Sequence, residues 1–157
     1  MNYEIVKLEG KILIGLKTRV KDDETMYEKI GNLWKDFYSQ DNVQDKINDN
    51  AVAVYYNYNN KNGFEYDFLV GNEVESDNDK ISENMVKLEI PKGKYAKFKI
   101  FGNPETEVIK FWQDLWKEFG KEMSEIRAYT YDFEEYVAGN DYENMEINIY
   151  ISVKLRK

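Results

Sequence analysis

Two stretches of the sequence decide the fold, MYEKIGNLWKDF at residues 26–37 and VIKFWQDLWKEF at residues 108–119. In the first stretch, apolar side chains recur with the spacing of one face of an α-helix, at Met26, Ile30, Leu33, Trp34 and Phe37. The second stretch repeats this pattern 82 residues later, at Val108, Trp112, Leu115, Trp116 and Phe119. The repeat predicts a duplicated unit with one helix in each copy.

Segments typical of β-strands surround each helix. They precede the helices at 11–20 and 95–102 and follow them at 51–58, 64–75, 126–137 and 145–155. The composition of residues 57–63 predicts a hairpin loop. The second helix is expected to begin after an Asn103 cap and to stop at Gly120. Each copy is therefore predicted to be a β-α-β-β unit, which gives an α+β fold class.

The duplication also predicts how the copies are arranged. One domain is expected over 1–157, with internal repeats at about 1–76 and 90–157 and a polar linker at 77–89. The strands of both copies could pair in one antiparallel, twisted sheet with two helices on it. A central cleft would then run between the helices along a pseudo-twofold axis, which is a natural place for a ligand.

The composition excludes several classes of chemistry. The chain of 157 residues contains no Cys and no His, so a thiolate nucleophile, an imidazole base and the usual zinc ligands are missing. We therefore expect no metal, no cofactor and no catalytic residue of these types. The net charge of −8 disfavours direct binding to nucleic acid. The 13 Tyr, 8 Phe and 3 Trp suit an aromatic core or ligand pocket.

Targeting signals are not recognisable in the sequence. Residues 1–10 are mixed and charged, without the apolar region of a signal peptide. The longest apolar runs, such as 51–56, are far shorter than the roughly 20 residues that span a bilayer. A cytoplasmic location without membrane contact is the expectation.

Two carboxylates stand within aromatic strand segments, Glu134 in YTYDFEEY and Glu73 in YDFLVGNEV. Strand alternation puts Glu134 on the same face as Asp132 and Tyr136, but it does not show which face borders the cleft. An exposed strand carboxylate remains the alternative for both glutamates. Core packing or cleft lining is open for the aromatic residues Trp34, Trp112, Trp116, Tyr55, Tyr56, Tyr58 and Tyr66.

Seven short motifs stand in order along the chain. They are IGLKTR from Ile14, LWxxF from Leu33, YxxLVGxEV from Tyr66, IPxGxYA from Ile90, FWxxLW from Phe111, DFExY from Asp132 and IYIxV from Ile149. In this combination the sequence resembles the family of gyrase-inhibitor-like, or AraC-type, effector-binding domains. The resemblance covers essentially the whole chain, and the duplicated β-α-β-β fold of that family agrees with the repeat.

The resemblance implies binding of small organic molecules, often lipophilic cations. It also implies that the acid of the FExY motif, Glu134, or that of the VGxE motif, Glu73, faces the ligand inside an aromatic pocket. A stand-alone effector-binding protein is therefore expected, related to ligand-sensing domains that are usually fused to DNA-binding regions. The candidate ligand-binding residues are Glu134, Glu73, Trp116, Tyr136, Tyr56, Trp112 and Phe37.

Two alternatives stay open. The family includes an inhibitor of DNA gyrase, so an acidic protein of this kind could instead occupy a cationic surface of a protein partner. Some relatives are reported to hydrolyse electrophilic small molecules with their pocket carboxylates. In that case Glu134 or Glu73 would activate water as a general base. Simple binding is favoured over catalysis.

Overall fold

The computed structural model describes residues 2–40, 43–59 and 64–154. Its strands are β1 (Tyr3–Leu8), β2 (Lys11–Lys21), β3 (Ala51–Asn59), β4 (Glu65–Val74), β5 (Val86–Ile90), β6 (Gly93–Gly102), β7 (Tyr131–Tyr136) and β8 (Met145–Ser152). The helices are α1 (Met26–Gln40) and α2 (Pro104–Ile126), and a 3₁₀ turn covers Tyr142–Asn144.

Over the described residues, eight strands form one antiparallel sheet in the order β1-β6-β8-β7-β3-β4-β2-β5. The predicted α+β fold and its duplicated β-α-β-β units are confirmed, as β2-α1-β3-β4 and β6-α2-β7-β8. The two units meet at the centre, where β3 pairs with β7. This arrangement places the pseudo-twofold axis between those two strands.

Each unit is preceded by one further strand that the sequence did not predict. β1 lies within the charged first ten residues, and β5 begins at Val86, so the linker predicted at 77–89 is shorter than expected. Both strands cross to the other repeat, because β1 pairs with β6 while β5 pairs with β2. These exchanged strands form the two edges of the sheet.

The exchange curls the sheet. Only Glu9 and Gly10 separate β1 from β2, although these strands stand first and seventh in the sheet order. Three Cα steps reach about 11 Å at most, whereas six strand spacings in a flat sheet would measure about 29 Å. The two crossings pass each other closely, since a Cβ on Gly10 would lie 2.8 Å from the carbonyl oxygen of Ile90.

The curl encloses a second core on the helix-free face. Phe133 and Leu13 are fully buried there, and the Phe133 ring centroid lies 4.7 Å from that of Tyr150. The Lys11 ammonium lies 4.9 Å from the Phe133 centroid, although two strands stand between β2 and β7 in the sheet. The sheet is therefore buried on both faces, and the helices cover only one of them.

Helix α2 begins as predicted but ends later. The Asn103 side chain accepts a hydrogen bond from the Glu105 N–H at 2.9 Å, with Pro104 as the first helical residue. Gly120 does not stop the helix, because it continues beyond a non-helical Phe119 to Ile126. The strand predicted at 126–137 consequently starts only at Tyr131.

Two predicted boundaries reach beyond the described residues. Of the loop predicted at 57–63, residues 57–59 belong to β3, and 60–63 lie outside the described residues. The strand predicted at 145–155 ends at Ser152 as β8, and residue 155 also lies outside the described residues.

Candidate ligand-binding site

A cleft with a volume of about 1010 Å³ lies between the two helices, over the middle of the sheet. Each helix contributes one flank to its walls, and β3, β4 and β7 contribute its floor. Corresponding positions of the two repeats line it, 82 residues apart, in the pairs Met26/Val108, Tyr27/Ile109, Ile30/Trp112, Gly31/Gln113 and Trp34/Trp116. The cleft therefore follows the pseudo-twofold axis.

The helical pattern explains why these side chains border the cleft. Leu33 and Phe37 of α1 and Leu115 of α2 are buried against the sheet. Because each residue is turned about 100° from the previous one, Trp34 and Trp116 lie on the adjacent flank. That flank has no protein packed fully over it, and Trp116 remains 44% exposed.

Glu134 lies at the centre of the floor, with only 1% of its surface exposed. Its Oε2 atom accepts hydrogen bonds from the Tyr55 hydroxyl and the Trp112 indole N–H, both at 2.8 Å. Its Oε1 atom accepts one from the Tyr136 hydroxyl at 2.6 Å. Across the strand pair, Glu134 is directly opposite Ala53.

Burial raises the pKa of Glu134 above its ordinary value, and the hydrogen bonds from Tyr136, Trp112 and Tyr55 oppose that rise. Burial, with the nearby Glu134 charge, also raises the pKa of Tyr55 and of Tyr136 well above 10, so both hydroxyls remain donors. Within the described ranges, no lysine or arginine forms an ion pair with Glu134. The carboxylate is held by neutral donors alone.

A second buried acid, Asp132, lies two residues earlier on the same face of β7. It is fully buried, and its Oδ2 atom accepts hydrogen bonds at 2.5 Å from both Arg127 and the Tyr58 hydroxyl. Its Oδ1 atom accepts from the N–H of Ser152 at 2.8 Å and from its hydroxyl at 3.1 Å. Arg127 and Tyr58 line the cleft in front of this acid.

The guanidinium of Arg127 lies between two aromatic rings. Its central carbon is 4.3 Å from the Tyr129 centroid and 5.3 Å from the Trp116 centroid. Burial lowers the pKa of Arg127, but the Asp132 carboxylate together with Tyr58 and Tyr129 more than offsets this, so the pKa is raised and the group stays charged.

The remaining walls are aromatic. The Trp34 ring packs edge-on against Tyr136 at 4.9 Å and stacks with Tyr38 at 5.7 Å, while Tyr55 packs against Trp112 at 5.7 Å. Exposed aromatic side chains continue to the rim, at Tyr27, Tyr38, Trp116 and Tyr142. Ionisable side chains at the rim, Asp22, Lys35 and Glu105, are exposed to water.

The structure brings four of the seven predicted site residues together in the cleft: Glu134, Trp112, Trp116 and Tyr136. It does not place Glu73, Tyr56 or Phe37 there. Glu73 and Tyr56 have the opposite strand phase and lie on the helix-free face, where Glu73 is 3.9 Å from Lys11 and Tyr56 stacks with Tyr131. Phe37 is 5% exposed and belongs to the core beneath α1.

Sequence reasoning missed Tyr38 and Arg127 and left Trp34 open between core packing and cleft lining, although all three border the cleft. Trp34 could have been found, because it is the 82-residue counterpart of Trp116. Arg127 lies just beyond α2, in a segment predicted as strand, and no pattern marks it.

Among the described residues, no group of three or more metal-ligating side chains is arranged to hold a metal ion. No described helix is both long enough and apolar enough to cross a bilayer.

Comparison with known proteins fits this geometry. The sequence model of the Cass2 family, integron-associated effector binding proteins, matches residues 4–153. This chain belongs to the Cass2 family. As a member, it is an effector-binding protein related to the ligand-binding domains of transcription regulators, which confirms the resemblance inferred from the motifs.

Individual relatives match over nearly the whole chain. YobU of Bacillus subtilis, provisionally named a transcriptional regulator protein, is 30% identical over 159 residues, 96% of each chain. The integron cassette protein VCH_CASS2 of Vibrio cholerae has a TM-score of 0.74 and 29% identity, over 97% of this chain and 95% of that one. SAV2435, solved with tetraphenylphosphonium bound, has a TM-score of 0.79 at 15% identity, over 98% and 94%, which shows a shared fold.

Proposed function

We propose that the effector of this protein is a lipophilic organic cation whose charged centre lies against the Glu134 carboxylate. One observation carries the proposal: an acid that is 1% exposed, held by three neutral donors, at the bottom of an aromatic cleft. A buried carboxylate without a cationic partner is unfavourable, and its raised pKa reflects this. A ligand cation would remove the penalty.

The walls suit the apolar part of such a ligand. Aromatic faces attract a cation by about 0.5–2 kcal/mol each, and Trp34, Trp112 and Trp116 all border the cleft. The cleft volume of about 1010 Å³ lies at the upper end of the roughly 300–1,000 Å³ that is usual for small-molecule sites. Shape therefore restricts the ligand little, and we expect several cations with aromatic groups to bind.

The charge on Glu134 gives the expected affinity difference. A cation about 5 Å from a carboxylate, in a medium with an effective dielectric constant of about 20, gains about 3 kcal/mol. That energy corresponds to roughly a hundredfold change in the dissociation constant. Glu134→Gln should produce a loss of this size, because the amide keeps the shape but not the charge.

Two probes of matched shape and opposite charge test the proposal, tetraphenylphosphonium and tetraphenylborate. Binding is measured by calorimetry and by quenching of the cleft tryptophans. The phosphonium should bind the unaltered protein and the borate should not, and Glu134→Gln should weaken phosphonium binding about a hundredfold by the charge argument. Glu135→Gln is the control, since it removes the same charge from the neighbouring position on the other face of β7.

Equal binding of the two probes, or equal effects of the two substitutions, would overturn the proposal. The same experiment separates the alternatives left by the sequence. Consumption of a bound electrophile under excess substrate would indicate hydrolysis. Retention of a protein partner by Glu134→Gln would indicate an interaction surface outside the cleft.

A further inference from the structure

Two buried acids lie on the same face of β7, and among the described residues only Asp132 is paired with a cation. Asp132 and Glu134 are alternate residues of β7, so their side chains leave the same face about 7 Å apart. Asp132 is paired with Arg127 at 2.5 Å, and both side chains are almost completely buried. Glu134 has hydrogen bonds from neutral donors only. When Glu134 is ionised, the net charge of the buried cluster is therefore −1.

Arg127 lies between the Asp132 carboxylate and the cleft, so it determines the electrostatic potential that Asp132 contributes to the cleft. Its side chain lines the cleft, whereas Asp132 is fully buried behind it. The guanidinium also lies over the faces of Tyr129 and Trp116, with its central carbon 4.3 Å and 5.3 Å from their centroids. The other carboxylate oxygen of Asp132 is occupied by the N–H and hydroxyl of Ser152, so the pair has a fixed orientation.

We infer that Arg127 is a specificity-determining residue which, by neutralising Asp132, restricts the cleft to ligands with a single positive charge. The inference rests on the proposed function of Glu134 as the counter-ion. A dication would find one compensating carboxylate and a guanidinium in the second position. Desolvating its second charge would gain nothing in return.

The unaltered protein already gives one test. A singly charged tetraphenylphosphonium is compared with a doubly charged alkane that carries a triphenylphosphonium at each end. The dication should bind no more than about twice as tightly as the monocation, which is the statistical advantage of two equivalent ends. Dication binding that is tenfold tighter or more would overturn the inference without any substitution.

Three variants then change the buried charge in steps. Asp132→Asn leaves Arg127 uncompensated and should weaken monocation binding about tenfold, because the cluster charge becomes zero. Arg127→Met makes the charge −2 and should raise the ratio of dication to monocation affinity about tenfold. The double variant restores −1, and its ratio should return to within about threefold of the original value.

The ratio of dication to monocation affinity distinguishes an effect of the Arg127 charge from an effect of its contact with the ligand. If Arg127 acted only by packing on the ligand, Arg127→Met and the double variant would change both affinities alike and leave the ratio unmoved, which would overturn the inference. Removing one partner of a buried ion pair is strongly destabilising, so folding of each variant is checked by circular dichroism. The comparison in the unaltered protein decides the matter if the single variants do not fold.

The outcome for Glu134→Gln keeps the two proposals separate. Suppose that Glu134→Gln binds neither the monocation nor the dication, and that the ratio of dication to monocation affinity does not change across the Arg127 variants. This result would overturn only the inference on Arg127. If Glu134→Gln still binds both the monocation and the dication, the proposed function itself is overturned.

Discussion

Replacing Glu134 by Gln should abolish the pH dependence of two measurable quantities, stability and cation affinity, which change in opposite directions with pH in the original protein. The substitution is mild in shape. The amide oxygen can accept from Tyr55 and Trp112, as Oε2 does now, and the amide nitrogen can donate to the Tyr136 oxygen. The variant should therefore fold, and its difference from the original protein should report the charge.

Stability of the ligand-free protein is the first quantity. Burial raises the pKa of Glu134 above its ordinary value of 4.5, so the folded state holds the proton more tightly than the unfolded state. The contribution of Glu134 to stability is then fully present below the unfolded pKa and is lost as the pH rises through the folded pKa. Across that window, the free energy of unfolding of Glu134→Gln should rise relative to the original protein, by at most about 1.4 kcal/mol per pH unit.

Affinity for a cation is the second quantity, and it changes with pH in the opposite direction. The cation binds the ionised carboxylate, so below the folded pKa a proton must leave before the ligand can bind. Affinity should increase with pH by up to about tenfold per unit in that range and become constant above it. Glu134→Gln should show neither trend.

The measurements are urea unfolding followed by tryptophan fluorescence, and calorimetric titration with tetraphenylphosphonium, at matched pH values between about 4 and 8, where a raised carboxyl pKa would be seen. Both profiles should bend at the same pH in the original protein. If the unfolding free energies of the two proteins ran parallel, or if cation affinity did not change with pH, Glu134 would not be the buried, ionisable counter-ion that the geometry indicates.

Further substitutions address the donors, the sheet and helix α2. Tyr136→Phe removes a hydroxyl that donates at 2.6 Å, which should weaken cation binding by about ten- to a hundredfold, whereas Tyr56→Phe on the other face of the sheet should leave calorimetric titrations unchanged. Gly15→Ala would place a Cβ 2.1 Å from the carbonyl oxygen of Val70, so it should lower the free energy of unfolding by about 1–3 kcal/mol. Gly120→Ala, whose added Cβ would meet nothing within 4 Å apart from its chain neighbours and the nearby backbone of its own helix, should instead raise it by up to about 1 kcal/mol in the same denaturation experiment.

The helix repeat made most of the fold predictable, because helical periodicity is a local signal that two copies reinforce. The edge strands were not predictable, because the pairing that defines them is not a local signal. β1 and β5 are short, and their pairing partners belong to the other repeat. Nothing within YEIVKL or VKLEI indicates that exchange. The curl of the sheet follows from it, so the enclosed second core was not predictable either.

The site was predictable in part, because a strand pattern fixes relative but not absolute orientation. Alternation grouped Glu134 with Tyr136 correctly but could not show which face lies under the helices. Glu73 consequently remained an equal candidate until its pairing with Leu13 placed it on the helix-free face. Arg127 was missed because the helix was predicted to stop at Gly120, which placed residue 127 in a predicted strand, whereas α2 continues to Ile126.

The position of Glu134 follows from the duplication itself. Tyr55 and Tyr136 are 81 residues apart, and at the same offset the counterpart of Glu134 is Ala53, its direct partner across β3 and β7. A glutamate at both positions would set two carboxylates about 5 Å apart at their Cβ atoms, and each would raise the pKa of the other until they shared a proton. With alanine in one copy, equivalent tyrosines from both repeats donate to one carboxylate on the axis. The symmetric scaffold thus supplies donors from two sides, and the asymmetric pair of Ala53 and Glu134 leaves a single carboxylate between them.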